Sequence, residues 1–342
     1  MRALIDLQKK LYPDLLHVMQ QRYSILNSVS LFQPIGRRGL AEHVALSERI
    51  VRAEVDFLHN QGLLNITTKG MLITEEGKVV VDQLAVFMKE VMGLSVLEEQ
   101  LKDKLHVEQV MVVPGNSDNE SWVKQEMGKA CVSFFNSTVA ADQTIAVTGG
   151  TTMAAVAQAM TPSDISGPCL FVPARGGIGE KVENQANTIV AEMARKTNGD
   201  YRMLYVPDPL SETSYHTMLR EPSINEILEL IRKSDVVLHG IGDALTMAKR
   251  RKTGNEIMRQ LADKHAVGEA FGYYFNKAGD VVYKVRTIGI QLEDLDSAKC
   301  VITVAGGSSK AQAIASYFEQ GKSDLFITDE AAAEQILGDE SL

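Results

Sequence analysis

Apolar side chains recur at helical spacing between residues 14 and 31 (Leu15, Leu16, Val18, Met19, Tyr23, Leu26, Val29), which predicts one amphipathic helix facing a core. Pro34 and Gly36 then end it. From Gly39 to Leu64 the pattern predicts a short helix, a tight turn and a longer helix. Ser47 is placed to cap the longer one, Glu48 suits the positive end of its dipole, and Gly62 suits the left-handed turn that ends it. Val51, Val55 and Leu58 face inward, leaving Ser47, Arg49 and Arg52 on the opposite face. Two short β-prone runs around Lys69-Gly70 follow, then a helix capped by Thr74. Residues 75–105 read as helices more apolar than one surface needs; they either pack within the chain or meet another subunit.

Beyond residue 106, strand-like runs (Val107–Val113, Thr144–Val147, Leu170–Val172, Tyr201–Val206, Asp235–His239, Val281–Val285, Cys300–Val304, Leu325–Thr328) alternate with helical ones. That alternation predicts a mainly parallel, doubly wound α/β sheet covered on both faces. At 342 residues the chain exceeds what one core organises. The expected division is 1–88, a winged helix-turn-helix with its connecting helix, and 89–342, the α/β domain.

Charge changes the picture of the first part. The formal net charge is −9, yet residues 1–70 carry nine Lys/Arg against six Asp/Glu, and the remainder carries 26 against 38. A basic head on an acidic body suits a reader of double-stranded DNA whose larger domain avoids phosphate backbones. Arg49, Arg52 and Ser47 then stand where a recognition helix meets base edges, with Arg37, Arg38 and Lys69 beside them for phosphates. A helical hairpin used only for protein contacts is the alternative. Such readers commonly bind as dimers, so a dimer or tetramer is expected. Three scattered cysteines, Cys131, Cys169 and Cys300, indicate neither a disulfide framework nor a zinc site. Charge interrupts the first ten residues, and no uncharged run of about 18 residues follows, so a cytoplasmic protein with no membrane span is expected.

Ligands of such sheets bind at the carboxyl ends of the strands. Four glycine loops fall there: Thr148-Gly149-Gly150-Thr151-Thr152, Ala174-Arg175-Gly176-Gly177-Ile178-Gly179, Gly240-Ile241-Gly242-Asp243 with Arg250 further on, and Ala305-Gly306-Gly307-Ser308-Ser309-Lys310. Each alone is ordinary turn chemistry, but four together with Arg175, Arg250 and Lys310 point to an anion site. Sharper motifs are missing. No loop completes G-x-G-x-x-G, Ala311 stands where a Walker loop needs a hydroxyl, and there is no G-x-S-x-G, H-E-x-x-H or clustered histidine set. No catalytic, metal or cofactor site is therefore assigned.

The order of these motifs resembles the SorC type of sugar-responsive repressors over nearly the whole chain. The resemblance rests on Leu40 to Leu64, Gly149 to Thr152, Gly240-Ile241-Gly242, Gly268-Glu269-Ala270-Phe271-Gly272, Ala305 to Ala311 and Leu325 to Glu330. It implies an effector domain similar to glucosamine-6-phosphate deaminase and ribose-5-phosphate isomerase that binds a sugar phosphate without converting it. For a glycolytic member the implied effector is fructose 1,6-bisphosphate. On that reading Gly149, Gly150, Thr151, Thr152 and Lys310 hold one phosphate, Arg175 and Arg250 the other, and Gln185 and Glu269 the sugar hydroxyls. The deaminases carry Asp-Gly-His where this chain has Asp243-Ala244-Leu245, so their acid–base histidine is missing. A phosphosugar isomerase or deaminase with an appended interaction domain is the competing reading.

Overall fold

The computed structural model describes residues 2–44, 46–162, 167–178 and 181–339; Met1, Ala45 of the first turn and Gly179 of the second glycine loop lie outside them. The chain divides into two compact units, Met1–Val96 and Leu97–Leu342.

The first unit opens with α1 (Arg2–Leu11), which the pattern does not predict, and α2 (Pro13–Phe32), whose first turn accommodates a proline because no N–H is needed there. Next come α3 (Arg37–His43), α4 (Glu48–Asn60), β1 (Leu64–Thr67), β2 (Gly70–Ile73) and α5 (Glu75–Val91). The expected caps form: Ser47 Oγ accepts from Ile50 N at 3.4 Å, and Thr74 Oγ1 from Gly77 N at 3.0 Å. β1 and β2 pair antiparallel, and Ile35 adds a further rung against Met71, completing a helix-turn-helix with a wing. Ile25, Val29, Leu40, Val51, Val55, Leu58 and Met71 form the core. Ile5 of α1 packs with Leu16, Met88 and Val91 in a second cluster. Gly93 separates α5 from α6 (Leu94–Leu105). Among the apolar residues of this stretch Leu94, Leu101 and Leu105 are buried, whereas Val79 and Val86 are 50% and 67% exposed.

The second unit is built on a seven-stranded, wholly parallel sheet. In chain order its elements begin β3 (Gln109–Val113), α7 (Ser121–Thr138), β4 (Thr144–Val147), α8 (Thr151–Ala159), β5 (Leu170–Pro173), α9 (Ala186–Thr197), β6 (Asp200–Tyr201), α10 (Glu212–Met218) and α11 (Pro222–Arg232). They continue with β7 (Val236–His239), β8 (Gly242–Asp243), α12 (Ala244–Arg250), α13 (Asn255–Asp263), β9 (Ala266–Ala270), β10 (Tyr273–Asn276), β11 (Val281–Lys284), β12 (Cys300–Val304), α14 (Ala311–Phe318), β13 (Leu325–Asp329) and α15 (Glu330–Gly338). The sheet runs β3-β13-β12-β7-β4-β5-β6. β7, β12 and β13 are buried along their whole length, as strands covered on both faces must be.

Two strand readings need correction. The run predicted over Tyr201–Val206 contributes only Asp200–Tyr201, because the Asn187 side-chain amide takes over the backbone of Leu204, donating to its C=O at 3.0 Å and accepting from its N–H at 3.0 Å. The run at Val281–Val285 does not join the parallel sheet. Its strand β11 pairs antiparallel with β10 in a separate four-stranded sheet, β11-β10-β9-β8.

Candidate functional site

From β4 the chain moves outward to β5, and from β7 it moves the opposite way to β12, although β4 and β7 are neighbours. Such a reversal leaves a crevice at the carboxyl ends of the two strands. A cavity of about 310 Å³ opens there, within the range of small-ligand sites. The loops after β4, β5, β7 and β12 all reach it. Gly149, Gly150, Thr151, Thr152, Arg175, Gln185, Arg250, Glu269 and Lys310, drawn together from the sequence, all line this one cavity.

Its floor is a helix start. Gly150 precedes α8 with φ +117°, a conformation that suits glycine, and no side chain caps the helix. The Gly150 N–H donates to Asn184 O at 2.9 Å. Thr151, Thr152 and Met153 follow in the cavity wall, so the unpaired N–H groups of the first turn and two hydroxyls face the space. The Gly306–Lys310 turn is held from behind by carboxylates. Asp329 Oδ2 accepts from Gly307 N and Ser117 N, both at 2.8 Å, and Asp118 accepts from Ser309 N at 2.8 Å and Ser309 Oγ at 2.9 Å.

The cations differ in their surroundings. Arg175 lines the cavity, but its guanidinium donates to Glu269 Oε1 at 3.1 Å and, at short range, to Asp208 Oδ2. Arg251 completes the group, donating to Glu269 Oε1 at 2.8 Å and to the Tyr274 hydroxyl at 2.9 Å. The side chains of all four charged residues are nearly or wholly inaccessible, so two arginines and two carboxylates neutralise one another inside the protein. Burial alone would raise the Glu269 carboxyl; Arg251 and Arg175 outweigh it and keep the group below its ordinary range, hence ionised. Glu269 Oε1 also accepts from Gly272 N at 2.6 Å. Phe271, just before it, takes φ +53° and lines the cavity.

Lys310 has the opposite environment. Burial, then the nearby positive charge of Lys124, depress its ammonium below the ordinary value; Arg250 adds to this, while Asp118 and Asp329 oppose it. Lys124, in α7, also lines the cavity and was not among the residues singled out from the sequence. Asn184 and Met247 were missed as well, while Asp243 of the third glycine loop also lines the cavity. Asp243 caps α12, accepting from Thr246 N at 2.8 Å. Behind the cavity, His239 is fully buried, its ring tilted against that of Phe271, with Nε2 2.8 Å from Thr303 Oγ1 and 3.1 Å from the Tyr317 hydroxyl. Burial pulls its pKa down to about 4, so it is neutral.

In the first unit Arg49 and Arg52 project exposed from α4, one turn apart, with no ion pair among the described residues. Ser47 caps the same helix at its exposed start. Arg37 pairs with Asp56 of α4 at 3.2 Å, and Arg38, 84% exposed, with Glu42 at 3.4 Å. Lys69 is exposed at the wing turn. Arg22, not singled out beforehand, ties α2 to α4 by pairing with Glu54 at 2.6 Å and lying 3.7 Å over the Phe57 ring. Among the described residues there is no cluster of side chains fit to hold a metal ion, and no helix long and apolar enough to cross a membrane.

Known families match the two parts of the chain separately. Residues 89–338 match a family model described as "Putative sugar-binding domain", and residues 18–88 one described as "CggR N-terminal DNA binding domain". The chain is 54% identical over 341 residues to the central glycolytic genes regulator of Priestia megaterium, covering 99% of each chain. It is 49% identical over 340 residues to the protein of the same name from Bacillus subtilis, covering 99% of this chain and all of that one. Among solved structures, "the putative SorC family transcriptional regulator from Enterococcus faecalis" superposes with TM-score 0.67 at 46% identity, covering 70% of this chain and 99% of that one. Full-length SorC of Klebsiella pneumoniae shares the fold at TM-score 0.65 and 17% identity, over 89% of this chain and 94% of that one.

Proposed function

Because the chain belongs to the SorC family of sugar-binding transcription regulators, we propose that it is a cytoplasmic repressor of glycolytic genes whose hold on operator DNA is set by fructose 1,6-bisphosphate or a closely related sugar phosphate. It is a DNA-binding regulator and not an enzyme, which removes the isomerase or deaminase reading. The observation that supports the effector most is the cavity at the strand ends, where an uncapped helix start, two threonine hydroxyls and an unneutralised lysine pair meet. Such a set of groups suits an anion.

On this reading residues 1–88 read DNA and 89–342 sense the effector. Arg49 and Arg52 meet base edges from α4, with Ser47 ordering its start, while Arg37, Arg38 and Lys69 meet phosphates. Arg37 and Arg38 first release Asp56 and Glu42, exposed pairs worth at most about 1 kcal/mol each. Gly149–Thr152 and Lys310 hold one phosphate, Arg250 guides the other, and Gln185 with Glu269 faces the sugar. Arg175 serves by fixing Glu269, its own charge being matched already. The regulator works as a dimer or tetramer on paired half-sites. If the effector weakens operator binding, linkage requires the DNA-bound state to bind effector more weakly by the same factor.

Fluorescence anisotropy on DNA upstream of a glycolytic operon, at fixed salt, with fructose 1,6-bisphosphate and several monophosphates, tests this directly. A selective change with the bisphosphate is expected. Thr152→Ala and Lys310→Ala are expected to keep operator affinity and blunt that response. Operator binding unmoved by every sugar phosphate refutes the proposed effector.

A further inference from the structure

Within the sugar-phosphate reading above, one lysine of the cavity has no assigned task. We propose that Lys124, supplied by α7 and not by any of the glycine loops, binds phosphate jointly with Lys310 and gives this end of the cavity its preference for a doubly charged group.

The topology brings Lys124 there. The crossover from β3 to β4 passes over β13, β12 and β7, so α7 starts at the carboxyl edge of the sheet and runs back across it. The loop entering α7 is fastened to the β12 turn: Asn116 Nδ2 donates to Ser308 Oγ at 3.1 Å, and Asp118 accepts from the backbone and hydroxyl of Ser309. The residue after Ser309 is Lys310. A loop fixed to Ser308 and Ser309 therefore carries the first turn of α7, and Lys124 with it, to the same wall of the cavity.

The charge pattern there is unfavourable without a ligand. A lysine near the start of a helix faces the positive end of its dipole, and the first turn of α7 contains no acidic residue to offset it. Glu120, at the N-cap, makes no capping bond to the helix, and its carboxylate lies 3.5 Å from the Asn116 N–H instead. Lys124 is half-buried and makes no hydrogen bond or ion pair among the described residues. Its charge acts against Lys310, and the two carboxylates that favour the Lys310 charge, Asp118 and Asp329, are occupied with backbone donors and Ser309. Local rules of this kind are broken mainly at functional sites. A phosphate between the two ammonium groups would relieve the helix dipole conflict and the lysine–lysine repulsion together. It would also meet the free N–H groups of α8 from the other side. A neutral sugar would relieve neither.

Titration calorimetry of the full-length protein tests this, with fructose 1,6-bisphosphate as ligand and inorganic phosphate as competitor. Lys124→Gln is expected to raise the Kd for the bisphosphate about 10- to 100-fold, the range for loss of a charge-assisted bond. It is also expected to abolish competition by inorganic phosphate and flatten the dependence on ionic strength, while Lys124→Arg retains most of the affinity. The melting midpoint without ligand should be unchanged or higher in both variants. Bisphosphate affinity within about twofold of wild type in Lys124→Gln overturns the role of Lys124 and leaves the effector reading standing. A wild-type protein that binds no sugar phosphate overturns both.

Discussion

The two units carry their charge in opposite ways. In the first, Arg38, Arg49, Arg52 and Lys69 lie exposed, and the ion pairs that touch them are at the surface. In the second, Arg175, Arg251, Asp208 and Glu269 are withdrawn from water and satisfied by one another, around a cavity whose remaining lysines are not. The proposed function accounts for the difference. DNA is a large polyanion met from solvent, and exposed cations reach it from the surface. A small ligand must be oriented inside a preset frame, and buried ion pairs supply rigidity at the cost of desolvation.

Breaking that frame should have the largest effect. Arg251→Met leaves Asp208 and Glu269 buried with one arginine between them, and removing one partner of a buried pair costs about 3–5 kcal/mol. Calorimetry should show the transition of the second unit falling steeply, whereas Arg49→Met in the first unit should move its transition by less than about 0.5 kcal/mol. Equal shifts would erase the contrast.

Next in size is a pH effect confined to the second unit. His239 titrates near 4 when folded against 6.5 in the unfolded chain, so the unfolded state takes up its proton first as pH falls. Stability should decline between pH 6.5 and 4 by about 3 kcal/mol and level off below that, from a shift worth about 1.4 kcal/mol per unit. His239→Gln, which cannot titrate, should flatten this part of the profile, measured as melting midpoint against pH; an unchanged slope assigns the effect elsewhere.

The smallest effect distinguishes residues within the DNA-reading surface. Arg52→Ala should cost about 1–3 kcal/mol on the cognate site and relax preference at one base pair, while Arg38→Ala should weaken all sequences alike and lower the salt slope by about one. Binding isotherms at several salt concentrations separate the two, and identical behaviour of both variants would dissolve the assignment.

The same contrast governs what could be read in advance. The caps, the recognition helix and the wing follow from neighbours within a few residues, so Ser47, Thr74 and the Arg49/Arg52 face were visible in the sequence. The glycine loops were visible too, as turn chemistry after strands. The matching of Arg175 was not, because its partners lie 33 and 94 residues away in sequence. Lys124 was hidden in the same way, since the contact that places its helix spans 192 residues. The hairpin β9–β10 escaped because its turn puts Phe271 at positive φ, where pattern reasoning looks for asparagine or glycine. Burial against His239 and the bond from Gly272 N to Glu269 hold that residue where its own preference would not.

The glycines have a consequence for how the family diverges. A Cβ on Gly149 would stand 2.7 Å from Asn184 O, and one on Gly307 2.3 Å from Asp118 Oδ1, so both residues are demanded by the packing of neighbouring loops. A descendant that had lost its effector altogether would still be compelled to retain them. Glycine runs after these strands therefore trace common ancestry of the scaffold. On the proposed function, whether a given relative still senses a phosphate is recorded instead at Lys124, Thr151, Thr152 and Lys310, whose side chains line the cavity.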